Sequence, residues 1–236
     1  EGTATASAAP TFGAAATLQY KGSGAQTTGP EFVTPWLGTG GVKIENASGV
    51  TLNAIKTINA TSSLTIGSTV ANSVFNDGGF QLTSTGTLNL TSGTFKLGSA
   101  GTATTFPAFG TINISAGTTV EYAAGVAQTV SSTPNYHNLT VSSGSSKTLG
   151  GATTANGNLT IGTGTTLDVS ANNYSMIVKG NWSNSGTFTA RSGTVTLGGL
   201  TTQTISGSAT TSFFNLTVNN VNVVTPSNNP TATATP

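Results

Sequence analysis

The chain has no cysteine, which rules out disulfide staples and thiolate metal sites and leaves the redox compartment open. Charge is almost as scarce. Only 6% of the 236 residues are charged, against roughly 25% in ordinary globular domains. The seven basic residues, Lys21, Lys43, Lys56, Lys96, Lys147, Lys179 and Arg191, are scattered singly. Nucleic-acid binding needs clustered cations to displace counterions from phosphates, so no nucleic acid is expected as a partner. No apolar run approaches the ~20 residues of a membrane helix, and membrane insertion is not expected. Disorder usually couples low hydrophobicity with high net charge. Here the net charge is +1, 35% of residues are hydrophobic, and they are regularly spaced. We read a folded chain with a neutral surface.

What the chain does contain is Ser and Thr, together about a third of the residues, with 31 glycines and many short alternating triplets. LTI at 64–66, LNL at 88–90, INI at 112–114, LTV at 139–141, LTI at 159–161 and VTL at 195–197 share one design: apolar, polar, apolar. Period two puts the apolar pair on one face of a strand, and the SGT, GTG and GG between triplets are turn formers. No stretch of ten residues has helical spacing, so the expectation is all-β.

A longer unit overlies the triplets. VEYAAGVAQTVSSTPNYHNLTV (120–141) returns as VTLGGLTTQTISGSATTSFFNLTV (195–218) and, more faintly, as LQYKGSGAQTTGPEF (18–32). In each, a Gln-Thr pair (Gln26-Thr27, Gln128-Thr129, Gln203-Thr204) follows eight residues after the apolar residue that opens the unit. Triplets at Leu139, Leu159, Met176, Val195 and Leu216 are spaced by about 18 to 22 residues, a solenoid period. One coil cannot bury its own apolar face, so coils repeat until neighbours cover each other. The expected fold is a right-handed parallel β-helix of about eleven short coils, roughly 50 Å long at the sheet spacing. Tandem β-sandwiches are the alternative, disfavoured because their strands run longer. The expected organisation is a flexible or inter-subunit segment over 1–16, the solenoid over 17–223, and a Thr/Pro-rich tail or linker over 224–236. The chain opens on Glu1 without Met, which we read as a mature or truncated product whose export signal is missing.

Enzymatic chemistry has little to draw on. The acids are Glu1, Glu31, Glu45, Asp77, Glu121 and Asp168, none within a few residues of another, whereas glycoside hydrolysis needs two facing carboxylates. His137, the only histidine, has no companions for a metal site, and as a general base it would need an orienting partner. We expect no enzyme, no cofactor and no metal. Nine Asn-x-Ser/Thr matches, at Asn46, Asn59, Asn89, Asn113, Asn138, Asn158, Asn173, Asn181 and Asn215, are candidate glycosylation sites. Stacked amide ladders or turn closure are the alternative use of these asparagines. The TATASAAP and TATATP ends are candidate O-glycan carriers by composition. Trp36, Trp182, Tyr136 and Tyr174 are candidate carbohydrate contacts if exposed; otherwise they are core or cap residues. Repeated Thr-x-Thr pairs suit an ordered-water, ice-binding face only if they recur at one position per coil, and no such regularity is evident in the sequence.

The unit Val120-x-Tyr122, Gln128-Thr129-Val130, Tyr136-x-Asn138-Leu139-Thr140-Val141, with the stretch 158–199 in the same style, resembles repeats of large secreted, Bacteroidota-like bacterial surface proteins. Such proteins are similar to β-helical adhesins of the filamentous-haemagglutinin and autotransporter-passenger type. The resemblance implies a non-enzymatic, extracellular or cell-surface structural or adhesive protein, a candidate for glycosylation, that self-associates into filaments. A strand at Ala16, Thr17, Leu18, Gln19 and Tyr20 is the expected inter-subunit element. A carbohydrate-binding module and an ice-binding solenoid are the competing functions.

Overall fold

The structure, a computed structural model, describes residues 7–226 and the short strand Thr233–Ala234. The rest of the expected tails, including most of the O-glycan candidates, lies outside the described residues. No helix occurs among the described residues. Strands of two to five residues pair in parallel, and register partners lie about 19 to 26 residues apart, which is one coil. The fold is a parallel β-solenoid, divided into two compact units: Glu1–Ser99 with Phe106–Thr118, and Ala100–Thr105 with Thr119–Pro236.

Each coil of the first unit contributes to up to three sheets. The first sheet stacks Thr17–Tyr20, Gly41–Ile44, Ser63–Ile66, Thr87–Leu90 and Thr111–Ile114. The second stacks Gln26–Thr27, Val50–Thr51, Val74–Asn76 and Thr94–Leu97; the third pairs Lys56–Ile58 with Leu82–Ser84. The triplets make these strands because their apolar parity matches the pleat. Leu64, Ile66, Leu88 and Leu90 are fully buried and stacked in register on one another. Each such burial stabilises by roughly 1.5–3 kcal/mol. Phe75, Phe95, Phe106 and Phe109 continue the interior as a chain of rings with centroids 5.4, 5.9 and 6.2 Å apart. Gly93, with φ of 110°, turns the corner where any Cβ would collide with the Ser73 carbonyl of the preceding coil.

The second unit repeats the plan. Its first sheet stacks Thr119–Tyr122, Asn138–Val141, Leu159–Ile161, Trp182–Asn184, Gln203–Ser206 and Val224–Pro226. Its second stacks Gln128–Val130, Ser145–Leu149, Thr165–Asp168 and Thr187–Thr189, and its third Thr153–Ala155, Met176–Val178, Thr194–Leu197 and Asn215–Val218. Ser212–Phe213 pairs with Thr233–Ala234. Val224–Pro226 falls in the stretch read from the sequence as tail, and pairs with Gln203, Thr204 and Ile205. Four rungs in the Gln26 sheet and six in the Thr119 sheet make about ten turns, close to the eleven expected.

The long repeat is one full coil. Val120 opens it and stacks on Leu139 of its closing Asn-Leu-Thr-Val; likewise Val195 stacks on Leu216. The two copies start on different sheets, the first and the third of the unit. The spacing read along Leu139, Leu159, Met176, Val195 and Leu216 therefore changes sheet midway. Leu139 and Leu159 share one sheet, while Met176, Val195 and Leu216 share another.

Candidate functional site

The aromatic candidates do not form a surface platform. Trp36, Trp182 and Tyr136 are fully buried, and Tyr174 is half-buried with its hydroxyl accepting from Asn172 Nδ2 at 3.0 Å. Trp182 lies in a ring cluster with Phe188 and Phe213, centroids 4.8 and 5.1 Å away, and Trp36 packs edge-on against Phe12 at 4.7 Å. Tyr136 donates to the Ser131 carbonyl at 2.6 Å and accepts from Tyr122, 2.7 Å away. Burial pushes the Tyr122 hydroxyl up to about 12. The carbohydrate-contact expectation for Trp36, Trp182 and Tyr136 is therefore corrected: these are core residues, because Trp182 stacks in register between Leu159 and Ile205, and Trp36 and Tyr136 bridge to Ile58 and Ala155 of the next coil.

The repeated Gln-Thr pair has a structural task. Gln128 Oε1 accepts the Ala124 N–H at 3.1 Å, and its Nε2 donates to the Thr104 carbonyl at 2.9 Å. Gln203 does the same with the Gly199 N–H at 2.9 Å and with the Val178 and Gly180 carbonyls of the preceding coil. Gln26 Oε1 accepts from Asn46 Nδ2 at 2.9 Å. In the two later copies a buried amide thus satisfies corner backbone groups that would cost about 1–3 kcal/mol each if left unpaired.

The charged residues act in the same way. Glu45 is buried, and its carboxylate accepts from the Ser68 N–H and hydroxyl and from the Thr69 and Val70 N–H groups of the next coil. Burial alone would raise its pKa, but these donors outweigh that and bring it to about 2. Lys56 Nζ donates to the Phe32 carbonyl at 2.6 Å and sits 5.3 Å from the Phe32 ring centroid. Lys147 Nζ is fully buried and donates to the Ala124 and Gly144 carbonyls at 2.6 and 2.7 Å. Burial lowers the pKa of both lysines, with Glu31 opposing at Lys56. Asp77 closes its own turn through Gly79 and ties to the Gly98 N–H at 2.7 Å; Asp168 holds Arg191 through two bonds of 2.6 and 2.7 Å. The parity of KTI and SSKTL places Lys56 and Lys147 inward beside Ile58 and Leu149, and that signal was available in the sequence.

The asparagines form ladders. Asn138 Oδ1 accepts the Asn158 N–H at 2.9 Å, Asn158 Oδ1 that of Asn181 at 2.8 Å, and Asn181 Oδ1 that of Thr204 at 2.9 Å. In the first unit Asn113 Nδ2 donates to Asn89 Oδ1 at 2.9 Å. The sequon is thus also a pleat: Asn outward, Leu or Trp inward, Thr or Ser outward. Asn46 is fully buried and spends its amide nitrogen on Gly24 and Gln26, so the expected glycan there is incompatible with the folded coil. Asn59 closes a turn onto Thr61, while Asn173 and Asn215 are exposed.

These ladders lie on a regular outer face. On the first sheet of the second unit, Thr119, Asn138, Asn158, Asn181, Thr204 and Thr225 form one column and Glu121, Thr140, Thr160, Ser183 and Ser206 a second. Rungs are about 4.8 Å apart. Hydroxyls and amides therefore do recur at fixed positions per coil, contrary to the reading of the Thr-x-Thr pairs, because register follows the coil and not the linear spacing.

In the first unit a cleft of about 400 Å³ is lined by Lys21, Ser23, Glu45, Ser48 and Val70. Its carboxylate is already engaged by four donors and titrates near 2, which makes it a poor proton carrier near neutral pH. No group of three or more His, Cys, Asp or Glu residues able to hold a metal occurs among the described residues. The expected inter-subunit strand pairs, over Thr17–Tyr20, with Gly41–Ile44 of its own chain, and Ala16 N donates to the Gly13 carbonyl. Comparison with protein families, curated proteins and solved structures found no match to this chain.

Proposed function

We propose that this β-solenoid is a non-enzymatic structural or adhesive element that works outside the cell or at its surface and associates with copies of itself. The observation that carries the reading is where the reactive side chains are spent. Glu45, Lys56, Asp77, Gln128, Lys147, Asp168 and Gln203 each bridge to a coil about 21 to 25 residues away. Groups that an enzyme would converge on a substrate here fasten one winding to the next. The resemblance of the repeat to adhesin-type surface proteins supports the setting, and a neutral Ser/Thr/Asn exterior suits contact with glycans or other surfaces. Removing the protein from the cells that make it, then imaging their surface and measuring attachment, tests this directly. Loss of a surface structure or of adhesion is expected; unchanged surface and adhesion overturn it.

One observation favours a second reading, an ordered-water face. The two in-register columns beginning at Thr119 and Glu121 present hydroxyls and amides at one fixed position per coil. Thermal hysteresis that is abolished by Thr160→Lys supports that function, and its absence at millimolar protein removes it.

A further inference from the structure

Two dipeptides in this chain are chemically labile. Asn156-Gly157 is its only Asn-Gly pair and Asp77-Gly78 its only Asp-Gly pair. In each, the glycine has no Cβ to keep its backbone nitrogen away from the side-chain carbonyl carbon one residue back. The fold treats the two pairs differently. Asp77 is buried, and its Oδ1 accepts from the Gly79 and Gly98 N–H groups at 2.9 and 2.7 Å. The Gly78 N–H beside it donates to Asn76 Oδ1 at 2.9 Å. Asn156 is exposed, and its side-chain amide is engaged by no described residue.

The corner that carries Asn156 also requires its glycine. Residues 156–158 connect Thr153–Ala155 of the third sheet to Leu159–Ile161 of the first. A Cβ on Gly157 would lie 2.5 Å from Asn138 Oδ1 and 2.6 Å from His137 Nδ1 of the preceding coil. Backbone hydrogen bonds hold the corners this close. The Asn156 N–H donates to the Tyr136 carbonyl at 2.8 Å and the Gly157 N–H to the His137 carbonyl at 2.7 Å. On the other side, the Gly180 N–H donates to the Gly157 carbonyl at 2.8 Å. The asparagine ladder passes through the same corner, where Asn138 Oδ1 accepts the Asn158 N–H at 2.9 Å. Stacking therefore demands the labile pair and at the same time ties down its nucleophile, the Gly157 nitrogen.

We propose that Asn156 is a site of spontaneous deamidation and that opening of this corner gates the reaction. Once released from the His137 carbonyl, the Gly157 nitrogen attacks Cγ of Asn156 and gives up its proton to water. The new N–Cγ bond closes a succinimide, and the side-chain amide leaves as ammonia. Water then opens the ring. Breaking the N–Cγ bond leaves an ordinary aspartate, whereas breaking the bond to the main-chain carbonyl carbon leaves an isoaspartate whose main chain runs through Cβ. The isoaspartate adds a methylene to a corner fixed from the coils on both sides, so that product cannot restack in the original register. The inference is independent of what the solenoid contacts and of where it works.

Peptide mapping by mass spectrometry tests it, following amide loss at each asparagine at pH 8 in the folded chain and in the chain unfolded by urea. Asn156→Ser supplies the blank. In urea Asn156 is expected to react first. In the folded chain it is expected to react slower by about tenfold or more, since the corner must open before the nitrogen can attack. Asn138→Ala removes the acceptor of the Asn158 N–H and is expected to speed the folded-state reaction roughly threefold or more, with the rate in urea unchanged. The isoaspartate fraction, separated chromatographically, is expected to unfold at a lower midpoint than the parent. Three results overturn the proposal: another asparagine leading in urea, protection by folding smaller than stated, or an Asn138→Ala chain, folded by circular dichroism, that reacts no faster than the parent.

Discussion

At the scale of single residues, polar side chains in this chain are interior fittings. Glu45 is the clearest case, because its pKa near 2 lies below the ordinary 4.5. The unfolded chain therefore takes up its proton first as pH falls. The stability Glu45 contributes is fully present above about pH 4.5 and is lost as pH drops through about 2. Glu45→Gln is expected to flatten that part of the stability profile, measured by urea melts between pH 5 and 2. Lys147 makes the complementary case. Lys147→Met keeps most of the side-chain volume but leaves buried carbonyls of Ala124 and Gly144 without a donor. We expect a loss of about 1–3 kcal/mol by chemical denaturation. Exposed Lys179→Met should stay within about 0.5 kcal/mol of the parent.

At the scale of elements, the rung is the unit and the ladder is what couples rungs. Asn158 both donates its N–H to Asn138 and accepts that of Asn181. Asn158→Ala removes the second bond only and is expected to cost about 0.5–1.5 kcal/mol. The double variant with Asn181→Ala should cost less than the sum of the singles if the ladder polarises along its length, because each single change already forfeits the mutual strengthening, and a double-mutant cycle from urea melts decides it. This is also the scale at which the sequence was most and least readable. The inward parity of Leu64, Leu88, Leu139 and Leu159 is local, so the triplets announced their strands directly. Which sheet a triplet joins is not local. Leu159 and Met176 look alike in sequence yet lie on different sheets of one coil, because each corner length, and not the triplet, sets the assignment. The same blindness applied to Trp36 and Tyr136, which bridge to Ile58 and Ala155 from outside any alternating triplet, whereas Trp182 follows the inward parity of its own strand.

At the scale of the whole molecule, stability is a sum over coils and their interfaces. Leu139, Leu159 and Trp182 are register partners in turn, so deleting residues 159–181 places Trp182 where Leu159 stood. That variant is expected to keep a cooperative β fold with a lower midpoint. Deleting only 159–169 shifts the register by part of a coil and is expected to leave no cooperative transition. Far-ultraviolet circular dichroism during thermal unfolding compares the two. The solenoid architecture was legible from the roughly twenty-residue return of the triplets.

The stacked sequons also bear on the choice of production host. A secretory pathway that attaches oligosaccharides to Asn-x-Ser/Thr as the chain emerges reads these motifs before any coil has closed. A sugar placed on Asn46 would then occupy the nitrogen that folding needs for Gly24 and Gln26. Sugars on Asn138, Asn158 and Asn181 would compete for rungs about 4.8 Å apart, closer than neighbouring carbohydrate trees can stand. Hosts without that pathway should therefore return one homogeneous product, and glycosylating hosts a ladder of partly decorated, poorly folded ones.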